Sequence, residues 1–198
     1  THMAAGTLAR SIVPACVSHE FAALARGRTA PVTDWLRALA RHAHEVSGGP
    51  GVGVIGMCFT GGFALGMMVD DVVLAPVLSQ PSLPIGPSRR SKADLHLSPA
   101  DLARVKERTG DWICVLGVGC SNDPLSPPDR FESLRRELGD AFIGVEIDSS
   151  PGNPWGIRRM GHSVVTEDLS LADPAHPTAL ALRQVLDFFR DRLVDPST

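Results

Sequence analysis

Four short apolar runs alternate with helical patterns along this chain, and this alternation restricts the folds open to it. The runs are rich in Val and Ile and lack polar alternation, which is typical of strands buried on both faces of a parallel sheet. They are residues 52–57, 72–78, 112–118 and 142–147. Strands joined by helices pair in parallel, so the sequence predicts a mostly parallel sheet with helices on both of its faces.

The helical segments have recognisable ends. Ser98 is a favourable N-cap because proline and an acid follow it in the first turn. We predict helices over residues 35–47, from Ser98, from Pro127-Pro128 to Leu138 and over residues 177–193. With 198 residues and no repeat, residues 1–198 are predicted to form one α/β domain.

Composition excludes several classes of protein. A net charge of -3 gives no basic surface for nucleic acid, and no apolar run is long enough to span a membrane. The four cysteines show no CxxC spacing, which argues against a zinc site and a disulfide framework. We therefore expect a reduced, cytoplasmic protein that uses neither a metal nor an organic cofactor. Lys92 and Lys106 are the only lysines, an arginine bias that points to a GC-rich bacterial genome.

The segment from Gly56 to Gly61 joins the first apolar run to a helical pattern. Its order of strand, cysteine at a glycine-flanked turn, and helix is the arrangement that exposes the nucleophile of α/β-hydrolases. Cys58 stands where serine is more usual, and the N–H of Phe59 is expected to donate to an oxyanion. The alternative is that Cys58 is a small buried core residue.

A nucleophilic cysteine requires a base, and the base requires a group that orients it. Asp123 lies in a polar turn after the third run, and His162 lies in a glycine-containing loop after the fourth. The order Cys58, Asp123, His162 is the order of nucleophile, acid and histidine in α/β-hydrolases. Two alternatives remain. In the first, Asp148 is the acid that orients the histidine. In the second, Asp123 is only a turn former and His162 is a solvated loop residue.

These motifs together resemble the dienelactone hydrolase family. That family carries a G-x-C turn, an acid in an N-D-P-x-x-P turn and a late G-H pair. Here Gly56-Met57-Cys58, the segment 122–127 and Gly161-His162 match in order, and the resemblance covers the chain from about Gly51 onward. It implies an α/β-hydrolase fold, a Cys58–His162–Asp123 triad, and hydrolysis of a small-molecule ester or lactone through a cysteinyl acyl-enzyme.

Two departures from the family pattern change the expectations. Thr60 stands where the family has glycine, so a slightly altered turn is expected. The family's opening strands, and a loop that supplies a second oxyanion N–H, have no match. We therefore expect an N-terminally incomplete fold, with residues 1–3 a cloning remnant or the middle of a longer chain. The alternatives are a weakly active or inactive binding and assembly domain, in which an exposed sheet edge favours a homodimer, and a thioesterase or esterase without lactone preference.

Further residues are weaker candidates for substrate binding. Gln80 and Ser82 follow a strand end, and Arg158 and Arg159 are either ligands for a substrate carboxylate or solvated loop charges. Residues 80–91, with three prolines, are predicted to be a mobile surface loop over the site. Residues 51–56 also satisfy G-x-G-x-x-G, but they lie within the predicted strand rather than after it, so no dinucleotide is expected.

Overall fold

A computed structural model describes residues 14–15, 17–111 and 113–194. Cys16, the Trp112 start of the third predicted strand and residues 1–3 lie outside this described part. Strands and helices alternate along it. They are α1 (Val32–Ser47), β1 (Val52–Met57), α2 (Gly61–Met67), β2 (Val73–Ser79), α3 (Arg89–Lys92), α4 (Pro99–Gly110), β3 (Val115–Cys120), α5 (Pro128–Leu138), β4 (Phe142–Ile147) and α6 (Pro177–Leu193).

The four strands form one parallel sheet in the order β1-β2-β3-β4. Met57 pairs with Ser79 at the end of β1, and Cys120 pairs with Ile147 at the end of β3. The carboxyl ends of all four strands therefore lie along one edge of the sheet. The prediction of an α/β domain with parallel strands is confirmed.

Helices cover both faces of this sheet. Successive residues of a strand point to opposite faces, and in β2 Leu78 belongs to one core cluster while Val77 belongs to the other. The first cluster includes Leu65 of α2 and Leu134 of α5. The second includes residues of α6. The sheet is thus a two-sided core that holds the strand ends in fixed positions.

The expectation that all four strands are buried on both faces is wrong for the outer two. β2 and β3 are buried almost throughout, whereas β1 and β4 contain half-buried and exposed residues. Ile55 of β1 is 40% exposed. The cause is position in the sheet, because within the described residues β1 and β4 have a neighbouring strand on one side only. Apolar composition alone does not distinguish an edge strand from a central one.

Local signals placed most element ends correctly. The Ser98 side chain accepts a hydrogen bond from the N–H of Asp101, which caps α4 as predicted. β1 and β4 begin and end at the predicted residues, whereas β3 begins at Val115 rather than at residue 112. The neighbouring strand β4 sets the start of β3, because Val115 pairs with Phe142, the first residue of β4. Among the described residues, no helix has the length and apolar character needed to cross a membrane.

Candidate active site

Cys58 lies between β1 and α2 in a strained backbone conformation. Its φ is +53°, a region that residues with a side chain rarely adopt. The short 3-10 turn Cys58–Thr60 follows, and α2 continues from Gly61. Such strain persists only where the surroundings enforce it, and it is concentrated at functional positions. The predicted sharp turn between strand and helix is therefore present, with the cysteine at its tip.

Two glycines permit this turn. A Cβ on Gly56 would lie 2.3 Å from the carbonyl oxygen of Thr60, and a Cβ on Gly61 would lie 2.5 Å from Cα of Pro81. Thr60 itself is exposed, and its hydroxyl donates to the carbonyl of Met57 at 2.9 Å and accepts from the N–H of Met57 at 3.0 Å. The crowding thus falls on Gly56 and Gly61, and the position of Thr60 accepts a side chain.

Asp123 follows β3 and is nearly inaccessible, with 2% of its surface exposed. One carboxylate oxygen accepts the N–H of Leu125 at 2.9 Å, which fixes the side chain. The other lies 2.5 Å from Nδ1 of His162. Asp148, the rival acid, is exposed and accepts the N–H of Ser150 at 2.8 Å. The fold therefore selects Asp123 as the acid that contacts the histidine.

The loop that carries His162 is held by a second carboxylate, Asp168. One oxygen of Asp168 accepts the N–H groups of both His162 and Ser163 at 2.9 Å, and the other accepts hydrogen bonds from Arg158. Asp168 was missed in the sequence. Its only sequence signal is a position six residues after His162, which does not distinguish it from other loop acids.

Ser82 joins the cysteine and the histidine. Its backbone N–H donates to the carbonyl of Cys58 at 2.9 Å. Its hydroxyl lies 3.7 Å from Sγ of Cys58 and 3.4 Å from Nε2 of His162. Because Nδ1 of His162 faces Asp123, Nε2 is the nitrogen that faces the thiol. Ser82, a weak candidate from the sequence, therefore contacts two of the reactive groups directly.

The Cys58 thiol and the His162 imidazole shift each other's pKa. The hydrogen bond with His162 lowers the pKa of Cys58; burial opposes this, and hydrogen bonds from Ser82 and the N–H of Phe59 support it. Burial by itself would lower the pKa of His162, but Asp123 and Cys58 outweigh it and raise the pKa to about 10. Both shifts favour the charged forms, a thiolate at Cys58 and an imidazolium at His162, and such a pair titrates as one unit.

The rate of alkylation by iodoacetamide is expected to depend on this thiolate–imidazolium pair, because only the thiolate reacts. The midpoint of the rate at Cys58 is expected below the ordinary thiol value of about 8.5, since the pKa is lowered. In His162→Ala the main cause of lowering is lost while burial remains. Its midpoint is therefore expected to rise, and the rate of alkylation at pH 7 is expected to fall.

Mass spectrometry of the Cys58 peptide, after timed labelling from about pH 5 to 10, measures this midpoint. Cys120 is an internal control in the same chain, because burial raises its pKa to about 11. Ser82→Ala removes a smaller cause of lowering and is expected to move the midpoint less than His162→Ala does. An unchanged midpoint in His162→Ala would contradict the pairing.

A cavity of about 570 Å3 opens beside the thiol. Its walls are mainly apolar, with Phe59 next to Cys58, Leu83, Pro84 and Ile85 after β2, and Pro124 and Leu125 after β3. Cavities of this volume hold small organic molecules. The nucleophile therefore faces a space that can hold an apolar substrate.

Arg130 holds one wall of this cavity in place. It is 2% exposed and donates to the carbonyls of Pro81 (2.7 Å), Pro84 (3.1 Å), Ser91 (3.0 Å) and Asp94 (3.0 Å). Burial lowers the pKa of this guanidinium to about 10. The prediction of a mobile surface loop over residues 80–91 is therefore wrong for its first half, which is buried and bound, although the segment does line the cavity.

Three other sequence candidates lie away from the cavity. Gln80 is 2% exposed, and its side chain accepts a hydrogen bond from Ser79. Arg158 pairs with Asp168, and Arg159 is exposed, so neither lines the cavity. Cys120 is buried in the second core cluster, as expected for a residue that fills space. Gly53 and Gly56 of the G-x-G-x-x-G pattern lie within β1, as expected.

Comparison with protein-family models, with curated proteins and with solved structures found no match to this chain. The function is therefore inferred from the geometry of the site. A strained cysteine, a paired imidazole, an orienting carboxylate and an apolar cavity meet at the carboxyl edge of the sheet. Together they are suited to covalent attack on a carbonyl carbon.

Proposed function

We propose that this chain is a cysteine-dependent hydrolase of small-molecule esters or lactones, with an α/β-hydrolase fold similar to that of the dienelactone hydrolase family. One observation carries the proposal. Cys58, His162 and Asp123 follow three different strands and meet in a single line of side-chain contacts, with Nδ1 of His162 2.5 Å from Asp123. Nucleophile, base and orienting acid are the three roles that acyl transfer requires.

Acylation uses the ion pair in its resting state. The Cys58 thiolate attacks the carbonyl carbon, a C–S bond forms, and the carbonyl electron pair moves to the oxygen. The N–H of Phe59, which donates to Cys58 in the resting state, donates to this oxyanion. The intermediate then collapses, the bond to the leaving oxygen breaks, and Nε2–H of His162 gives that oxygen its proton. Ester and lactone differ only in whether the alcohol departs.

Deacylation uses the change in charge that acylation causes. The thiolate is one of the groups that raise the pKa of His162, and it no longer exists once Cys58 is acylated. The pKa of His162 therefore falls, and the neutral imidazole takes a proton from water. The hydroxide attacks the thioester carbon, the C–S bond breaks, and the thiolate and the imidazolium are restored. Asp123 holds the ring in the same orientation throughout.

The acyl-enzyme itself is the most direct test. Brief incubation with p-nitrophenyl butyrate, followed by acid quench, is expected to add one butyryl group to Cys58 and to release p-nitrophenolate. Peptide mass spectrometry locates the group. Addition of the butyryl group to Cys120 instead would contradict the proposal. Steady release of p-nitrophenolate, with no butyryl adduct, by a chain whose Cys58 has been blocked with iodoacetamide would also contradict it.

A second candidate function, an assembly domain, is favoured by the surface at one edge of the sheet. β1 is an edge strand of the described part, and Ile55 is 40% exposed. On α1, which contacts β1, Trp35 is 63% exposed and Leu39 is 46% exposed. Exposed strand edges and apolar surface favour association, including a homodimer. Hydrolysis of p-nitrophenyl butyrate by the monomer fraction from size-exclusion chromatography would show that assembly is not required for activity.

A further inference from the structure

The walls of the cavity determine which acyl groups can be held beside Cys58. Leu83 and Pro84 are buried, whereas Ile85 is 43% exposed and Leu125 is 55% exposed. The lining formed by the described residues is therefore mainly apolar. Each methylene that leaves water for such a surface is favourable, so binding strengthens as an apolar chain lengthens.

Among the residues that the structure describes, the charged and polar groups that line the cavity are not placed to bind a buried anion. The guanidinium of Arg130 already donates to four carbonyls, and the hydroxyl of Ser82 contacts Cys58 and His162. Lys92 also lines the cavity, and it is exposed to solvent. A carboxylate held among the buried described residues of the lining would lose its hydration without gaining a partner, and that loss is large. The lining therefore selects against acyl groups that end in a carboxylate.

We infer that the cavity selects neutral apolar acyl groups of up to about eight carbons, an inference on substrate class that rests on the proposed function. The upper limit comes from volume. A cavity of about 570 Å3 holds about nineteen water-sized groups at roughly 30 Å3 each, which is an acyl chain and a leaving group of similar size. The ligand is thus an ester with an aliphatic acyl chain, and acids with a second carboxylate are excluded.

The test compares p-nitrophenyl esters that differ only in the acyl group. From acetate to butyrate to hexanoate, kcat/KM is expected to rise by about three- to fourfold per methylene. The mono-p-nitrophenyl ester of adipic acid has the length of hexanoate and a terminal carboxylate. It is expected to be at least about tenfold poorer than hexanoate. A flat series, or a preference for the adipate ester, would overturn the inference.

A second series does not depend on turnover. N-alkyl iodoacetamides from methyl to hexyl label Cys58 without hydrolysis, and glutathione corrects for their intrinsic reactivity. The corrected rate at Cys58 is expected to rise with chain length by about the same factor per methylene. If no ester is turned over but this trend is present, the proposed function fails and the inference on the cavity stands. If esters are turned over and the trend is absent, the proposed function stands and the inference on the cavity fails.

Matched substitutions locate the effect in the cavity wall. Ile85→Asp places a charge in the lining and is expected to lower the hexanoate-to-acetate ratio of kcat/KM by about tenfold. Leu171→Asp makes the same change at a residue that is 68% exposed and does not line the cavity, and it is expected to leave the ratio unchanged. Equal effects of the two substitutions would assign the preference to something other than this wall.

Discussion

Replacing Cys58 with alanine is expected to lower kcat/KM for p-nitrophenyl butyrate by about four to six orders of magnitude. The loss is large because the thiolate forms the covalent bond, and the other members of a triad cannot replace a missing nucleophile. His162 loses its partner in the same variant, so its pKa is expected to fall. The remaining rate would come from the Phe59 N–H and from binding in the cavity. The measurement is steady-state release of p-nitrophenolate.

Two controls separate nucleophilic attack from general loss of thiols. Cys120 is buried in the core, and Cys114 is half-buried against the same cluster. Cys120→Ala and Cys114→Ala are expected to retain kcat/KM within about threefold, because neither residue is in contact with the cavity. Circular dichroism of Cys58→Ala should match that of the parent chain. Retained turnover in Cys58→Ala, or loss only in Cys120→Ala, would overturn the mechanism.

The largest expected effect on stability is that of Gly56→Ala. Its new Cβ would lie 2.3 Å from the carbonyl oxygen of Thr60, within the backbone of the turn that presents Cys58. The clash is with main chain rather than with a flexible side chain, so it cannot be relieved by a rotamer change. A destabilisation of about 3 kcal/mol is expected, at the upper end for overpacking, which corresponds to a fall in Tm of roughly 6–12 °C.

Gly110→Ala is the matched control for this substitution. Gly110 is the last residue of α4, and no atom of the described residues lies within 4 Å of a Cβ built on it. The added methyl group restricts the unfolded chain and favours helix, so Gly110→Ala is expected to stabilise by about 0.4–1 kcal/mol. Differential scanning calorimetry measures both variants. A Gly56→Ala chain that melts with the parent would show that the turn has another way to relax.

Local patterns in the sequence predicted the features that depend on neighbouring residues. The strained turn at Cys58 was readable because glycine, cysteine and glycine stand at fixed short spacings after an apolar run. The cap at Ser98 and the ends of β1 and β4 were readable for the same reason. Where an element end depends on a partner strand, as at Val115, the local pattern placed it wrongly by three residues.

The residues around the cysteine illustrate what such patterns cannot resolve. Asp123 and Asp148 both follow strands, and the sequence does not distinguish them as candidates for the orienting acid. Only the burial of Asp123 beside His162 does so. Ser82 contacts His162 across 80 positions of sequence, and Arg130 contacts Pro81 across 49. No periodicity or spacing rule relates residues so far apart. Residues 81–84, predicted to belong to a mobile surface loop, form a buried wall because Arg130, far away in the sequence on α5, binds their carbonyls.

The sequence by itself therefore determined the alternation of strands and helices, the turn at Cys58 and the chain order of Cys58, Asp123 and His162. Backbone preferences and hydrophobic periodicity act over a few residues, so they can be recognised in the amino-acid sequence. Tertiary structure alone decided which acid meets the histidine, that Ser82 and Asp168 support it, and that the cavity is apolar. Those contacts arise only when parallel pairing brings the carboxyl ends of separate strands to one edge of the sheet.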